Sequence, residues 1–218
     1  MIPLKDDNPT RTFPFVNIGL ILANIAVFVY QVSLPPRVAQ AFMLAHATVP
    51  ARIPAALAGH APVDWAFYPL LTSIFLHSGL MHLLGNMLFL WIFGDNVEDE
   101  FGHFFYLLFY LVCGVGSGML HVLFNWNSHI PAIGASGAIS GVMGAYIVLF
   151  PRAKVLTFFF IFLLPVPAFL ILGYWFALQF LEAIGQFGMV SNGGVALWAH
   201  VGGFVMGVLI ALVVRRGK

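Results

Sequence analysis

The sequence predicts an all-α, polytopic membrane protein with six transmembrane helices. Two observations carry that reading. Of 218 residues, 61% are hydrophobic and only 8% charged, for a mean hydropathy of +0.97, and the apolar residues fall into runs long enough to cross a bilayer core of roughly 30 Å. A soluble domain of this length carries far more charge on its surface. The formal net charge of +1 comes without a basic block interleaved with aromatics, which excludes nucleic acid as a partner and leaves the lipid bilayer as the surroundings. Cys113, the single cysteine, lies inside an apolar run. It reads as a small packing residue, with no disulfide framework and no cysteine-based metal cluster.

The six spans lie near 15–33, 68–93, 103–124, 136–150, 155–181 and 196–214, and are read as one membrane domain over 1–218. The first follows Lys5, Asp6, Asp7 and Arg11 and lacks a small-residue cleavage site, so it reads as a retained helix, ended by Pro35 and Pro36. The stretch 34–67, rich in Ala, Pro and His, is expected to be partly helical at the interface. An acidic hairpin with Asp95, Glu98, Asp99 and Glu100 joins the second and third spans. The fifth span carries Pro165 and Pro167 and precedes a loop with Gly185, Gly188, Gly193 and Gly194. Lys5, Arg11, Arg152, Lys154, Arg215, Arg216 and Lys218 fall on one side against Arg37 and Arg52 on the other. That asymmetry places both termini in the cytoplasm. The compact arrangement fits a prokaryotic cytoplasmic membrane.

The fourth span is the informative one. Ser136 to Phe150 is about 15 residues, or roughly 22 Å at 1.5 Å per residue, short of the hydrocarbon core. Its start therefore lies below the outer surface, with non-helical backbone from about Trp126 to Ala135 at membrane depth. Such backbone is tolerated only inside protein or beside water, so a wet pocket is expected at Ser136.

The second and sixth spans run in the same direction as the fourth and place polar groups at that depth. "HSGLMHLLGN" contributes His77, His82 and Asn86, the last two one turn apart on one helix face, and "WAHVGGFVMG" contributes His200. Strongly polar side chains inside membrane spans are costly and point to function. Serine and histidine together make a nucleophile and its general base. Gly134 and Gly137 permit an unusual turn and close backbone approach beside Ser136. The N–H groups around Ala135 and Ser136, at a helix start, face any developing oxyanion, to which His82 and Asn86 add side-chain donors.

The ordered set of "HLLGN", "GASG" and "AHVGG" on the second, fourth and sixth spans resembles the rhomboid intramembrane serine proteases. The resemblance implies Ser136 as nucleophile and His200 as base, in a dyad without an aspartate, with His82 and Asn86 in the oxyanion hole. It also implies a metal-free enzyme with no cofactor, acting on single-span membrane proteins. Two positions depart from the family pattern. Some members carry an aromatic residue one turn after the nucleophile, where this chain has Ser140, and many carry a Trp-Arg pair in the first outer loop, where Trp65 is followed by Ala66.

Gly203 and Gly207 are expected to bring the sixth span against Gly137, Gly141 and Gly144 of the fourth, as small residues do between membrane helices. Ser140 reads as a packing residue or one bonded to the backbone. A zinc site of His77, His82 and His200 lacks both HExxH and a carboxylate at that depth, and His129 and Asn127 read as solvated. The fifth span and its glycine-rich loop are expected to move sideways to admit a substrate helix. Two rivals remain. A non-catalytic binding protein of the same fold would be marked by loss of the serine or histidine, and a transporter would show inverted repeats and paired broken helices.

Overall fold

The computed structural model describes residues 2–185 and 196–216 and is dominated by helices. In chain order, strand β1 (Ile2–Asp6) leads to helix α1 (Phe15–Ser33), followed by α2 (Pro36–His46), α3 (Arg52–Leu57), α4 (Val63–Phe67) and α5 (Pro69–Thr72). A 3₁₀ turn (Ser73–Phe75) precedes the long helices α6 (Leu80–Phe101) and α7 (His103–Phe124). Then come α8 (Ser136–Leu149), strands β2 (Lys154–Phe159) and β3 (Phe162–Pro167), α9 (Ala168–Gly185) and α10 (Leu197–Arg216). Among the described residues five helices, α1, α6, α7, α9 and α10, are long and apolar enough to cross a membrane, and α8 is a shorter apolar helix.

The stretch expected to form the second span is broken. Residues 63–75 form short helices, one started by Pro69, and the chain is extended at Leu76 before α6 begins at Leu80. His77 consequently sits in the turn ahead of α6 rather than on it. At the other end α6 does not stop at 93 but runs to Phe101, so the acidic residues are helical and the connection to α7 shrinks to Gly102, whose φ of +78° suits a residue without a side chain. Those acids have partners that keep them helical. Glu98, fully buried, accepts hydrogen bonds from the backbone N–H groups of Val16 (2.9 Å) and Asn17 (2.7 Å). It thereby supplies a carboxylate to the positive end of α1. Asp99 and Glu100 clamp Arg11, and Asp99 also holds Thr12. Asn17 donates to the Leu90 carbonyl and accepts from Tyr106, in space left by Gly94.

The fifth span is also revised. Residues 154–167 form an antiparallel hairpin, and the helix begins only at Ala168. In β2, Val155 and Thr157 are buried while Lys154, Leu156 and Phe158 face outward. This is a period of two, and a hydropathy window cannot tell it from an apolar helix. Pro165 and Pro167 lie on β3, the edge strand, where a missing N–H is tolerated. β2 is flanked on its other side by β1, in the order β1-β2-β3. The sheet is joined to the helices where Tyr146 of α8 donates its hydroxyl to Asp6.

Burial raises the Asp6 carboxyl above its ordinary 3.8, against the lowering effect of the Tyr146 hydrogen bond. An acid whose pKa is raised by folding favours the folded state at low pH, and that advantage disappears as pH rises through the folded value. Asp6→Asn retains an acceptor for Tyr146 and carries no charge to bury. It should therefore raise the thermal midpoint in detergent at neutral pH, with the difference vanishing below about pH 4. Equal midpoints at both pH values would contradict this.

Candidate active site

α8 and α10 approach until backbone meets backbone. A β-carbon on Gly203 would lie 2.0 Å from the Gly137 carbonyl oxygen, one on Gly207 1.9 Å from that of Gly141, and one on Gly144 2.1 Å from that of Phe204. No side chain fits at these three positions, so the axial separation of the helices is set by glycine. Gly137 and Gly141 also face α7, where Ser117 and Cys113 occupy the space their side chains would take. At the end of this seam, Ser136 Oγ lies 2.7 Å from His200 Nε2. His200 is buried, and Ser136 is the first residue of α8, with Ala135 as its N-cap. The first helical bond runs from the Ile139 N–H to the Ala135 carbonyl at 2.9 Å. The N–H groups of Ser136, Gly137 and Ala138 therefore lie ahead of the ladder at the positive end of the helix. Ser140 is fully buried, and its hydroxyl donates to the Ser136 carbonyl at 2.6 Å. That is a bond to the preceding turn of its own helix.

The irregular chain before α8 is satisfied by neighbouring backbone. Thr48 and Ala132 exchange two hydrogen bonds, Ala51 N–H donates to the Ser128 carbonyl, and Gly134 N–H donates to the Ser73 carbonyl. Gly134 has φ +126°, and a β-carbon there would come within 2.9 Å of the His82 ring. The ring thus lies against the residue two before Ser136. Ser78 faces His82 Nδ1 with both its hydroxyl (3.0 Å) and its backbone N–H (3.4 Å). An Nδ1 that accepts from Ser78 leaves the ring proton on Nε2, the atom beside Gly134.

Asn86, on the same face of α6, donates through Nδ2 to His77 Nε2 at 2.9 Å. The backbone of His77 is gripped in turn by the side chain of Gln31 on α1, through its N–H (3.2 Å) and its carbonyl (3.0 Å). The second Nδ2 proton of Asn86 remains for another acceptor. Over Ser136 lies a cavity of about 600 Å³ whose walls include His82, Asn86, His121, Asn125, Ser128 and His200. A second, of about 240 Å³, lies between α6 and α9, and its apolar walls are Met81, Phe89, Ile139, Met143 and Trp175. Ser136, His200, His82 and Asn86 border both.

A family model described as "Rhomboid domain" matches residues 64–217. The chain belongs to the rhomboid family. It is 37% identical over 144 residues to RHOMBOID-like protein 1 of Arabidopsis thaliana, covering 66% of this chain and 33% of that protein. It is 34% identical over 142 residues to Rhomboid protein 1, mitochondrial, of Saccharomyces cerevisiae, covering 63% and 39%. To Rhomboid protease GluP of Bacillus subtilis it is 43% identical over 82 residues, covering 38% and 15%. This rhomboid thus spans less than half the length of these relatives.

Both departures from the family pattern have counterparts elsewhere in the fold. The imidazole of His200 has no ring beside it at Ser140, but Trp175 of α9 lies 5.8 Å from it, centroid to centroid, at 34°. In the segment between α1 and α6 the guanidinium of Arg52 sits 4.1 Å over the Trp65 ring, a Trp-Arg pair made across 13 residues rather than between neighbours. Sequence reasoning missed Ser78, the partner of His82, Gln31, which holds the backbone of His77, and Gln179 of α9, whose Oε1 lies 2.5 Å from His200 Nδ1. A glutamine within an apolar span is itself a signal of the kind that singled out the histidines. Gly188, Gly193 and Gly194 of the expected gate loop lie outside the described residues.

Gly207→Ala forces α10 away from α8, since the new methyl would overlap the Gly141 carbonyl. We expect it to cost about 1–3 kcal/mol of stability. Because displacements near 1 Å at a reacting pair can cost about 100-fold in rate, labelling of Ser136 by a fluorophosphonate should fall about 100-fold. Wild-type labelling by this variant would show that the glycine seam does not set the Ser136–His200 distance.

Proposed function

We propose that this rhomboid is an intramembrane serine endopeptidase that hydrolyses a peptide bond in or near the transmembrane helix of a single-span membrane protein. The observation that carries the reading is the 2.7 Å contact between Ser136 Oγ and His200 Nε2 at the start of a short, buried helix. His200 Nε2 takes the hydroxyl proton as Ser136 Oγ bonds to the scissile carbonyl carbon. The oxyanion that forms is stabilised by N–H groups at the start of α8, the His82 Nε2 proton and the free Nδ2 proton of Asn86. Collapse breaks the C–N bond, and His200 returns the proton to the leaving amine. A water molecule, deprotonated by the same nitrogen, then releases the acyl group and regenerates Ser136.

The two cavities suit such a substrate. An intact helix keeps its amides in its own hydrogen bonds, so the segment at the scissile bond must unwind, which favours small residues at the cut and helix breakers beyond it. The polar cavity over Ser136 hydrates the unwound backbone, while the apolar one between α6 and α9 receives a side chain from the lipid side. Entry from the bilayer is by movement of α9 from its place. The excess of positive charge on one side supports cytoplasmic termini, with Ser136 reached from the outer half of the membrane, and the compact architecture suits a prokaryotic cytoplasmic membrane.

Cleavage of a single-span reporter, in detergent and in liposomes, tests the reading. Ser136→Ala and His200→Ala should abolish cleavage and fluorophosphonate labelling, whereas Ser140→Ala should retain both. A folded wild-type chain that neither labels nor cuts would make it a non-catalytic binding protein of the same fold.

A further inference from the structure

His200 has two ring nitrogens, and only one faces Ser136. The other, Nδ1, lies 2.5 Å from Gln179 Oε1. A side-chain carbonyl oxygen can only accept, so the ring proton is on Nδ1, and the Nε2 lone pair is left to face the serine hydroxyl. Gln179 comes from α9, four residues after Trp175, whose ring lies beside the same imidazole. The pair therefore occupies one face of α9, a turn apart. That face is held to α10 by Phe176 stacked on Phe204, with centroids 4.4 Å apart, and by Ala183 packed with Leu197 and Val201.

We propose that Gln179 is a positioning residue for the general base: it selects the Nδ1–H tautomer of His200 and fixes the ring, in the place that an aspartate takes in a three-membered serine protease site. The inference rests on the Ser136–His200 reading and extends it. A neutral amide orients the ring without adding a charge, which suits a site in a membrane interior where an unpaired carboxylate is costly. It also ties the readiness of the base to α9. When α9 leaves α10, His200 loses the acceptor and the adjoining ring together, and Nδ1 and Nε2 compete for the proton.

The test is the rate of fluorophosphonate labelling of the full chain in detergent, measured against pH, for wild type, Gln179→Met and Gln179→Glu, with Ser136→Ala as the blank. Gln179→Met keeps the length and removes the acceptor, leaving a buried donor unpaired, and should label about tenfold more slowly or worse, with the reporter KM unchanged. Gln179→Glu keeps an acceptor and should recover near wild-type labelling at alkaline pH. Its acidic limb should move to higher pH, because a carboxylate favours the imidazolium and the base must be neutral. Wild-type labelling by Gln179→Met would overturn the inference, as would a Gln179→Glu variant as slow as Gln179→Met at every pH. Labelling of wild type no faster than of Ser136→Ala would instead remove the dyad on which it rests.

Discussion

The glycine seam between α8 and α10 is the constraint on which the site depends. A hydrogen bond of 2.7 Å between side chains on two helices leaves no room for a variable separation. Side chains of ordinary size between the helices would hold them at the usual 8–10 Å and allow the contact to slide with each rotamer change. Here the β-carbons of residues 144, 203 and 207 are excluded by carbonyl oxygens of the facing helix. The spacing is thus set by backbone, the stiffest part of either element. In a membrane this matters more than in water, because apolar side chains gain little by leaving lipid for protein, and close packing must supply the association.

A short α8 follows from the same requirement. To bring the positive end of a helix and the Ser136 hydroxyl to one point within the bundle, the helix must start there, and the preceding chain must run through the interior without a ladder of its own. The segment between α1 and α6 meets that need. Thr48 and Ala51 pair with residues 132 and 128, and Ser73 takes the Gly134 N–H. The residues before α6 are therefore scaffold for the start of α8 as much as a link from α1. The first helix takes part as well, through the grip of Gln31 on His77. Its other end is held by Glu98. Changes in α1 can thus reach Asn86 without touching the cavity.

Much of this was legible in the chain. Long apolar runs marked α1, α7 and α10, and the shortness of the run after Ser136 marked the buried start of α8. The misreadings share one cause. Hydropathy reports how apolar a segment is, whereas the ends of α6 and the start of α9 were decided by partners distant in sequence. The acids at 98–100 stay helical because they bond to residues 11–17. Residues 154–159 become a strand because residues 2–6 lie alongside. The Trp-Arg pair was sought between neighbours, but Arg52 and Trp65 meet only once α3 and α4 are folded together.

The polar residues show the same limit from the other side. His82, Asn86 and His200 could be picked out because their helical spacing and the serine motif converged on one depth. His77 and Gln179 sit at comparable depth, yet what they do depends on which atom of which neighbour they meet. His77 presents Nε2 to an amide nitrogen, so it is the acceptor, and Gln179 presents Oε1 to an imidazole nitrogen, so it is the acceptor too. In each case an accepting atom orders a donor: His77 directs the Asn86 amide, and Gln179 directs the His200 ring. Two of the catalytic candidates are thereby oriented by helices other than their own, with α1 acting through His77 on Asn86 and α9 acting on His200. Preorganisation of the site is thus a property of the whole bundle, and α9, which carries the strand hairpin at its start, is the member through which it can be undone.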